Sequence, residues 1–266
     1  MVPDGARDLA ISVAHEAGEI LRSRVDRVHQ VQFKGTIDLV TEVDKASEEL
    51  IAGRIREAFP EHRFMGEEGA RGSDQSAGST FGWVVDPLDG TTNYAHGYPH
   101  FAVSIGLEHQ ATPVLGVVYD PMRDEMFVGE YGQGATLNDA PIHVSTENDL
   151  LQSLLATGFP YDPYNRAEAE ALWSAFLSKT QGVRRDGSAA LNLCWVAAGR
   201  LDGFYERPLQ PWDMDAAAAI VVAAGGTISR FDGSPFQPYG HEAVASNGVL
   251  HAALLDVIQN VSAAGQ

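Results

Sequence analysis

Between Phe101 and Gly132 the chain spells three strands in succession, FAVSIGLEH, PVLGVVYDP and DEMFVGEYG, separated by tight Gly/Pro/Asp turns. Strands joined that closely pair antiparallel, because parallel pairing needs a long crossover. This texture runs from Trp83 to about Val144. Helices precede it. Leu9, Val13, Ala17, Ile20, Leu21 and Val25 recur at helical spacing, and Ala46, Leu50, Ile51, Ile55, Ala58 and Phe59 share one face of a second helix that Pro60 closes. Beyond residue 150 the elements alternate. AEAEALWSAFLSK, GSAALNLCWVAAG, DMDAAAAIVVAAGG and GVLHAALLDVIQN read as helices, and LDGFYE, GTISR and EAVASN as strands. No repeat and no Pro/Ser-rich linker separates these regions. The expectation is two closely packed halves, residues 1–145 and 146–266, both mixing helix and strand.

Charge narrows the function classes. Lys and Arg total 18 against 36 for Asp and Glu, a net charge of −18 over 266 residues. Such a surface repels nucleic acid and anionic membranes, so neither is an expected partner. It also repels an anionic substrate, so a phosphate-handling site here needs local positive charge, most simply a bound cation. The single cysteine, Cys194, allows no intramolecular disulfide and lies in an apolar run as a buried small residue. The opening MVPDGARDLA lacks the pattern of a signal peptide, and no apolar run approaches the roughly 18 residues that span a bilayer. The expected location is the cytoplasm.

Against this background the stretch WVVDPLDGTTNYAHGYPHF, Trp83 to Phe101, stands out. Asp86 and Asp89 sit at the mouth of an apolar strand with Pro87 and Leu88 between them. Two carboxylates turned to one point repel unless a cation or proton lies between, and Mg²⁺ takes such oxygens, with the Leu88 carbonyl as a further donor. Gly90 and Thr91 then offer backbone N–H groups to an anion at a helix start. The competing reading is a pair of turns, Asp86-Pro87 and Asp89-Gly90, with Thr91 as a helix cap. Three further acidic sites bear on the choice between the two readings. Glu67 and Glu68 follow a strand at Arg63–Met65, as ligands or as solvated residues. Asp44 and Asp213 each stand where a helix opens, as site residues or as N-caps. The two aspartates of DPLD are three apart, not the two of D-x-D-x-T enzymes that form an aspartyl-phosphate.

These residues, in this order, resemble the inositol monophosphatase family. The likeness is carried by DLVTEVDKASE, MGEEG, WVVDPLDGTTNYAHGYPHFAVSIGL, GSAALNLCWVAAGRLDGFYE and PWDMDAAAAIVVAAGG. The resemblance implies a layered αβαβα sandwich of mixed α and β structure, with a largely antiparallel N-terminal sheet and a mixed C-terminal sheet. It implies Mg²⁺-dependent hydrolysis of a phosphate monoester by an activated water, with two or three ions per site and no covalent intermediate. Carried over by residue, Glu67, Asp86 and the Leu88 carbonyl bind one ion, Asp86, Asp89 and Asp213 a second, and Glu67 lies at a third, weaker one. Thr91, Glu67 and Asp44 orient and activate the water, while the Gly90 and Thr91 amides hold the phosphate. Glu68 supports; Lys34, in a loop one residue shorter than in the animal enzymes, aligns with a basic residue near the site. The family also implies a homodimer and inhibition by Li⁺.

The substrate is narrowed by the same likeness. Thr92-Asn93-Tyr94 after D-P-x-D-G-T resembles the inositol group, Glu206 matches a hydroxyl-binding glutamate, and Gly187, Ser188 and Ala189 match the segment that faces the inositol ring. The expected substrate is inositol 1-phosphate; histidinol phosphate and fructose 1,6-bisphosphate are the alternatives, and a regulatory protein-binding role is a further one. Without the resemblance, Glu206 is equally a solvated strand end and Ser188 a helix cap. Arg184, Arg185 and Asp186 precede that segment, a basic pair able to reach a second phosphate or to serve as surface or interface charge. His96 and His100 flank Gly97 and Pro99 and read as loop or core residues, and Trp195 as core.

Overall fold

The computed structural model describes residues 2–25, 32–33, 39–40, 42–70 and 78–264. Lys34 lies outside them. Helix α1 spans Ala6–Arg22. Short strands β1 (Gln32–Phe33) and β2 (Leu39–Val40) pair antiparallel. Helix α2 covers Glu42–Ala58 and begins four residues before the apolar series from Ala46; its buried face opens on Val43 and then carries the polar Asp44, Ser47 and Glu48 ahead of Ile51 and Ile55.

The large sheet follows. Strands β3 (Arg63–Gly66), β4 (Phe81–Asp89), β5 (Ala102–His109), β6 (Thr112–Asp120), β7 (Glu125–Glu130), β8 (Gly134–Leu137) and β9 (Ala140–Ile142) lie in chain order as seven neighbours. All pairs are antiparallel except β3 and β4, which run parallel. Helix α3 (Thr91–Ala95) sits in the β4–β5 connection.

The second sheet takes β10 (Leu154–Thr157), β11 (Gly182–Arg184), β12 (Gly203–Glu206), β13 (Thr227–Ser229) and β14 (Ala243–Ser246) in the order β11-β10-β12-β14-β13, with β10 parallel to both neighbours and the β12–β14–β13 pairs antiparallel. Its helices are α4 (Ala167–Leu177), α5 (Ala189–Ala197), α6 (Pro211–Ala223) and α7 (His251–Ala264).

Contacts stack these elements in five layers. Helices α1 and α2 cover one face of the large sheet. Helices α5 and α6 fill the space between the two sheets, and α4 and α7 cover the outer face of the small one. The layered α/β sandwich expected from the sequence is therefore the observed architecture. Helix α6 is seated unusually close. Gly106, Gly116 and Gly129 are cross-strand partners in one row over β5, β6 and β7. A Cβ on Gly116 would stand 1.8 Å from the Ala216 carbonyl oxygen, and one on Gly129 2.5 Å from Ile220 Cα. Glycines in these strand interiors are what let a helix backbone lie directly on the sheet. At the third position of the row, the space that a Gly106 side chain would need is filled by the Asp215 carboxyl. Burial and then the charge of Glu108 raise the Asp215 carboxyl, and Glu108 Oε2 accepts from the Tyr239 hydroxyl at 3.0 Å. Asp215 thus fills the gap between the sheet and the start of α6, two residues from Asp213.

Candidate active site

Strand β4 does not end at Val85, and Asp86-Pro87 is not a turn that leaves the sheet. The strand continues to Asp89 through a bulge: Asp86 pairs with Ser104 and Asp89 with Ala102, three residues against two. In a straight strand residues three apart face opposite ways, and one extra residue cancels that inversion. The bulge thus explains both the proline, which a central ladder does not tolerate elsewhere, and why Asp86 and Asp89 line the same cavity. Leu88 N donates to Asp86 Oδ1 at 2.9 Å, holding the bulge from inside.

Gly90 follows with φ +96°, a left-handed conformation, and a Cβ there would meet the carbonyl oxygens of His100 at 3.0 Å and Gly187 at 3.2 Å. This glycine starts α3 and brings Thr91 back under the strand end. The Thr91 hydroxyl lies 3.3 Å from Asp44 Oδ1 and 3.0 Å from the Leu88 carbonyl, both acceptors. Asp44 is fully buried within α2 and not at its cap, so the N-cap reading of this residue is overturned. It stands behind Thr91 and does not line the cavity itself.

Glu67 leaves the end of β3 beside β4, its N–H donating to the Val85 carbonyl at 3.2 Å. The turn that carries it is held by Glu48, whose carboxylate accepts from Glu68 N and Ala70 N, each at 2.8 Å, and fills the space above Gly66. Sequence reasoning missed Glu48. The signal was its place four residues after Asp44 on one helix face.

From the other half, α6 delivers Asp213 in its first turn. The helix is capped by Gln210, and Asp213 Oδ2 accepts from Gln210 N at 2.7 Å, so Asp213 is not the N-cap but a residue inside the turn that braces it. Ser188 caps α5, its Oγ accepting from Leu191 N, and donates at 2.5 Å to Asp89 Oδ2, which also accepts from Ala190 N at 2.8 Å. The start of α5 therefore grips Asp89, and Ser188 is both cap and site residue. Asn93 ties the same segment down: its Nδ2 donates to the carbonyls of His100 at 2.7 Å and Asp186 at 2.8 Å. Replacing Asn93 by Asp removes both donors at constant volume. With each hydrogen bond contributing about 0.5–1.5 kcal/mol, kcat/KM for a phosphate ester is expected to fall about tenfold or more, and Asn93→Ser to recover part, in steady-state assays.

These elements enclose a cavity of about 480 Å³ whose wall includes Glu67, Asp86, Asp89, Asp213 and Glu206, with Leu88 among them. Asp86 is held well above the usual carboxylate range, first by burial and then by the charges of Glu67, Asp89 and Asp213. Asp213 is raised by its recessed position and by Asp89, Glu67 and Glu206. Burial pushes Asp89 up to about 6 against the opposing hydrogen bonds from Ser188 and α5. Glu206 is pushed up to about 8 by burial and by Asp89, with Arg185 opposing. Among the described residues, no three Asp, Glu, His or Cys side chains make a metal cage by themselves. Mg²⁺ does not require one: it takes one or two carboxylates and completes its shell with carbonyl, water and phosphate oxygens. An all-oxygen set of mutually repelling carboxylates, with Leu88 between two of them in sequence, fits that ion.

The remaining expectations fall out simply. Gly187, Ser188, Ala189 and Arg185 line the cavity, whereas Arg184 does not. Glu68 contributes its backbone to the turn and not its side chain to the wall. Cys194 is buried, as is His100, while His96 is exposed. Trp195 is only half-buried, with the guanidinium of Arg123 5.2 Å above its ring.

The sequence model of the inositol monophosphatase family matches residues 4–263. An inositol-1-monophosphatase of Synechocystis is 45% identical over 249 residues, covering 93% of this chain and 86% of that protein. The Nus factor SuhB of Pseudomonas aeruginosa is 43% identical, covering 95% of each. The solved structure of an inositol monophosphatase from Anabaena superposes with a TM-score of 0.86 at 40% identity, over 96% of this chain and 95% of that one.

Proposed function

This chain belongs to the inositol monophosphatase family, and from that premise we propose that it hydrolyses a phosphate monoester, inositol 1-phosphate first, in a Mg²⁺-dependent reaction. The observation that carries the reading is the convergence of Glu67, Asp86, Asp89 and Asp213, from three separate elements, on one cavity. In the proposal Glu67, Asp86 and the Leu88 carbonyl hold one ion, and Asp86, Asp89 and Asp213 a second, with Glu67 also at a third. Bound there, Mg²⁺ would neutralise the phosphoryl oxygens and acidify a water.

The chain's own groups do the rest. The single Thr91 proton is directed to Asp44 or to the Leu88 carbonyl, so the oxygen's free lone pair is left to accept from a water and aim it. Glu67, with Asp44 behind Thr91, is placed to take that water's proton. The Gly90 and Thr91 amides hold the phosphate. Glu206, mostly protonated at neutral pH, offers a polyol both a donor and an acceptor. No nucleophilic side chain is needed, since a phosphoryl transition state is stabilised by positioning and charge.

The test is phosphate release from inositol 1-phosphate, histidinol phosphate and fructose 1,6-bisphosphate with and without Mg²⁺. Release that depends on Mg²⁺ and is fastest per mole with inositol 1-phosphate supports the reading. Metal-independent release, or inositol 1-phosphate as the poorest substrate, contradicts it. Homodimer assembly and inhibition by Li⁺ belong to the same proposal. A second role in protein binding is supported only by the relative named Nus factor SuhB.

A further inference from the structure

Glu206 stands on a thin partition. It ends β12, and with Pro208, and with Gly158 and Pro160 just beyond β10, it lines both the active-site cavity and a second cavity of about 280 Å³. The strand end therefore has a cavity on either side of it. Two features hold it in place. The first is a socket. A Cβ on Gly158 would stand 1.9 Å from Glu206 Oε1 and 2.3 Å from Oε2, so the carboxyl occupies the space that any other residue at 158 would fill. The Gly158 backbone is not left-handed, so what this glycine supplies is room.

The second feature is the next side chain, Arg207, which lines the second cavity and not the first. Its Nε donates to Glu168 Oε2 at 2.9 Å and its Nη2 to Glu168 Oε1, a two-pronged grip on α4. Its Nη1 donates to Glu242 Oε2 at 3.2 Å, and its guanidinium carbon lies 4.8 Å from the centre of the Phe231 ring. Glu242 is tied down in turn, its Oε1 accepting from Arg230 Nε at 3.1 Å and from Phe231 N at 3.3 Å. One side chain thus joins the strand end to α4, to Phe231 and to Glu242. Half-exposed ion pairs add little to stability, so stability is a weak reason for this network. A planar fork held on both prongs fixes an orientation, and the residue it orients is the neighbour of Glu206.

We infer that Arg207 is a positioning residue: through Glu168 and Glu242 it locks the strand end that carries Glu206, and so sets the Glu206 carboxyl, seated over Gly158, for the hydroxyls of a substrate's alcohol part. The inference rests on the proposed reading in which Glu206 meets a polyol. Arg207 lies outside the cavity wall that holds Glu67, Asp86, Asp89 and Asp213. Its loss should therefore act on recognition of the alcohol and spare the phosphoryl chemistry.

Inositol 1-phosphate and phenyl phosphate share the reacting group, and only the first has hydroxyls on its alcohol part. In the full chain with Mg²⁺, Arg207→Ala should raise KM for inositol 1-phosphate about tenfold or more, the scale set by a small misplacement of a binding group, with kcat changed less than about twofold. Phenyl phosphate should be cleaved as by wild type. Arg207→Lys, which keeps the charge but not the fork, should give an intermediate KM. Gly158→Ala should repeat the pattern from the other side of the carboxyl. In Glu206→Ala, which has no carboxyl left to place, adding Arg207→Ala should raise KM no further. An unchanged KM for inositol 1-phosphate, an equal loss on both esters, or a full further loss in the Glu206→Ala background would overturn the inference. The last two would show that Arg207 acts on the fold at large. If wild type does not cleave inositol 1-phosphate, the substrate reading fails separately, and calorimetric binding of inositol decides the role of Arg207. Binding weaker by about tenfold or more in Arg207→Ala supports it; equal binding, or none in wild type, refutes it.

Discussion

Asp213→Asn is expected to lower Mg²⁺-supported phosphate release by about 100-fold or more, while leaving the metal-free protein as stable as wild type or slightly more so. The first half follows from the loss of one of the four carboxylates, Glu67, Asp86, Asp89 and Asp213, proposed to hold the metal. Even groups that only orient a metal's ligands cost about 10–100-fold when removed, and a ligand itself should cost no less. The second half follows from the electrostatics. Burial and the charges of Asp89, Glu67 and Glu206 raise the Asp213 carboxyl, so its ionised form costs stability at neutral pH. An amide of the same shape removes that cost and can still accept from Gln210 N.

The sign is checked in the same way. Asp86, Asp89 and Asp213 hold protons in the folded chain at pH values where the unfolded chain has released them. Their contribution is full below the ordinary carboxylate range and is lost as pH rises, in the case of Asp89 through about 6. Added Mg²⁺ should reverse the loss in wild type and not in Asp213→Asn. Thermal melts across pH 4–8, with and without metal, read both halves. A variant that melts lower without metal and keeps full activity would mark Asp213 as a helix brace only.

The other large effect lies in the seat of α6. Gly116→Val should prevent the chain from accumulating in folded form, and Gly116→Ala should already destabilise it by about 3 kcal/mol or more, at the upper end of the overpacking range. The added Cβ falls 1.8 Å from the Ala216 carbonyl oxygen, and the neighbour is helix backbone that has no rotamer to change. Lifting α6 would break its contact with Gly129 and move Asp213 out of the cavity wall. Gly53 provides the control. It lies in α2, and a Cβ there meets nothing within 4 Å. Gly53→Ala should therefore stabilise by about 0.5–1 kcal/mol. Denaturant melts separate the two outcomes, and equal effects at the two glycines would contradict the close packing of α6.

The strands between residues 101 and 132 and the helices of the second half were legible because each obeys one local period. What the sequence hid depends on partners distant in the chain. DPLD reads as turns from its residue types, yet β5 pairs with it on both sides of the bulge and keeps it in the sheet. Asp44 and Asp213 look like caps because helix-opening acids usually are. Only the packing of α2 against β4 and of α6 against the large sheet reveals what else they face. Glu48, and the grip of Ser188 on Asp89, were silent for the same reason: the partners, the Glu68 and Ala70 amides and the Asp89 carboxylate, lie 20, 22 and 99 residues away. Gly106, Gly116 and Gly129 show as ordinary strand glycines until register aligns them.

The central claim, that these carboxylates form a cation centre, is tested most directly by calorimetric titration of the metal-free protein with Mg²⁺ at pH 6 in two buffers of different ionisation heat. Carboxyls whose protonation is raised by burial and mutual repulsion must release protons to bind metal. The account predicts saturable binding with net proton release, weaker at pH 5 than at pH 7 and reduced in Asp89→Asn and Asp213→Asn. Saturable binding without proton release, or binding unchanged in both variants, would contradict it.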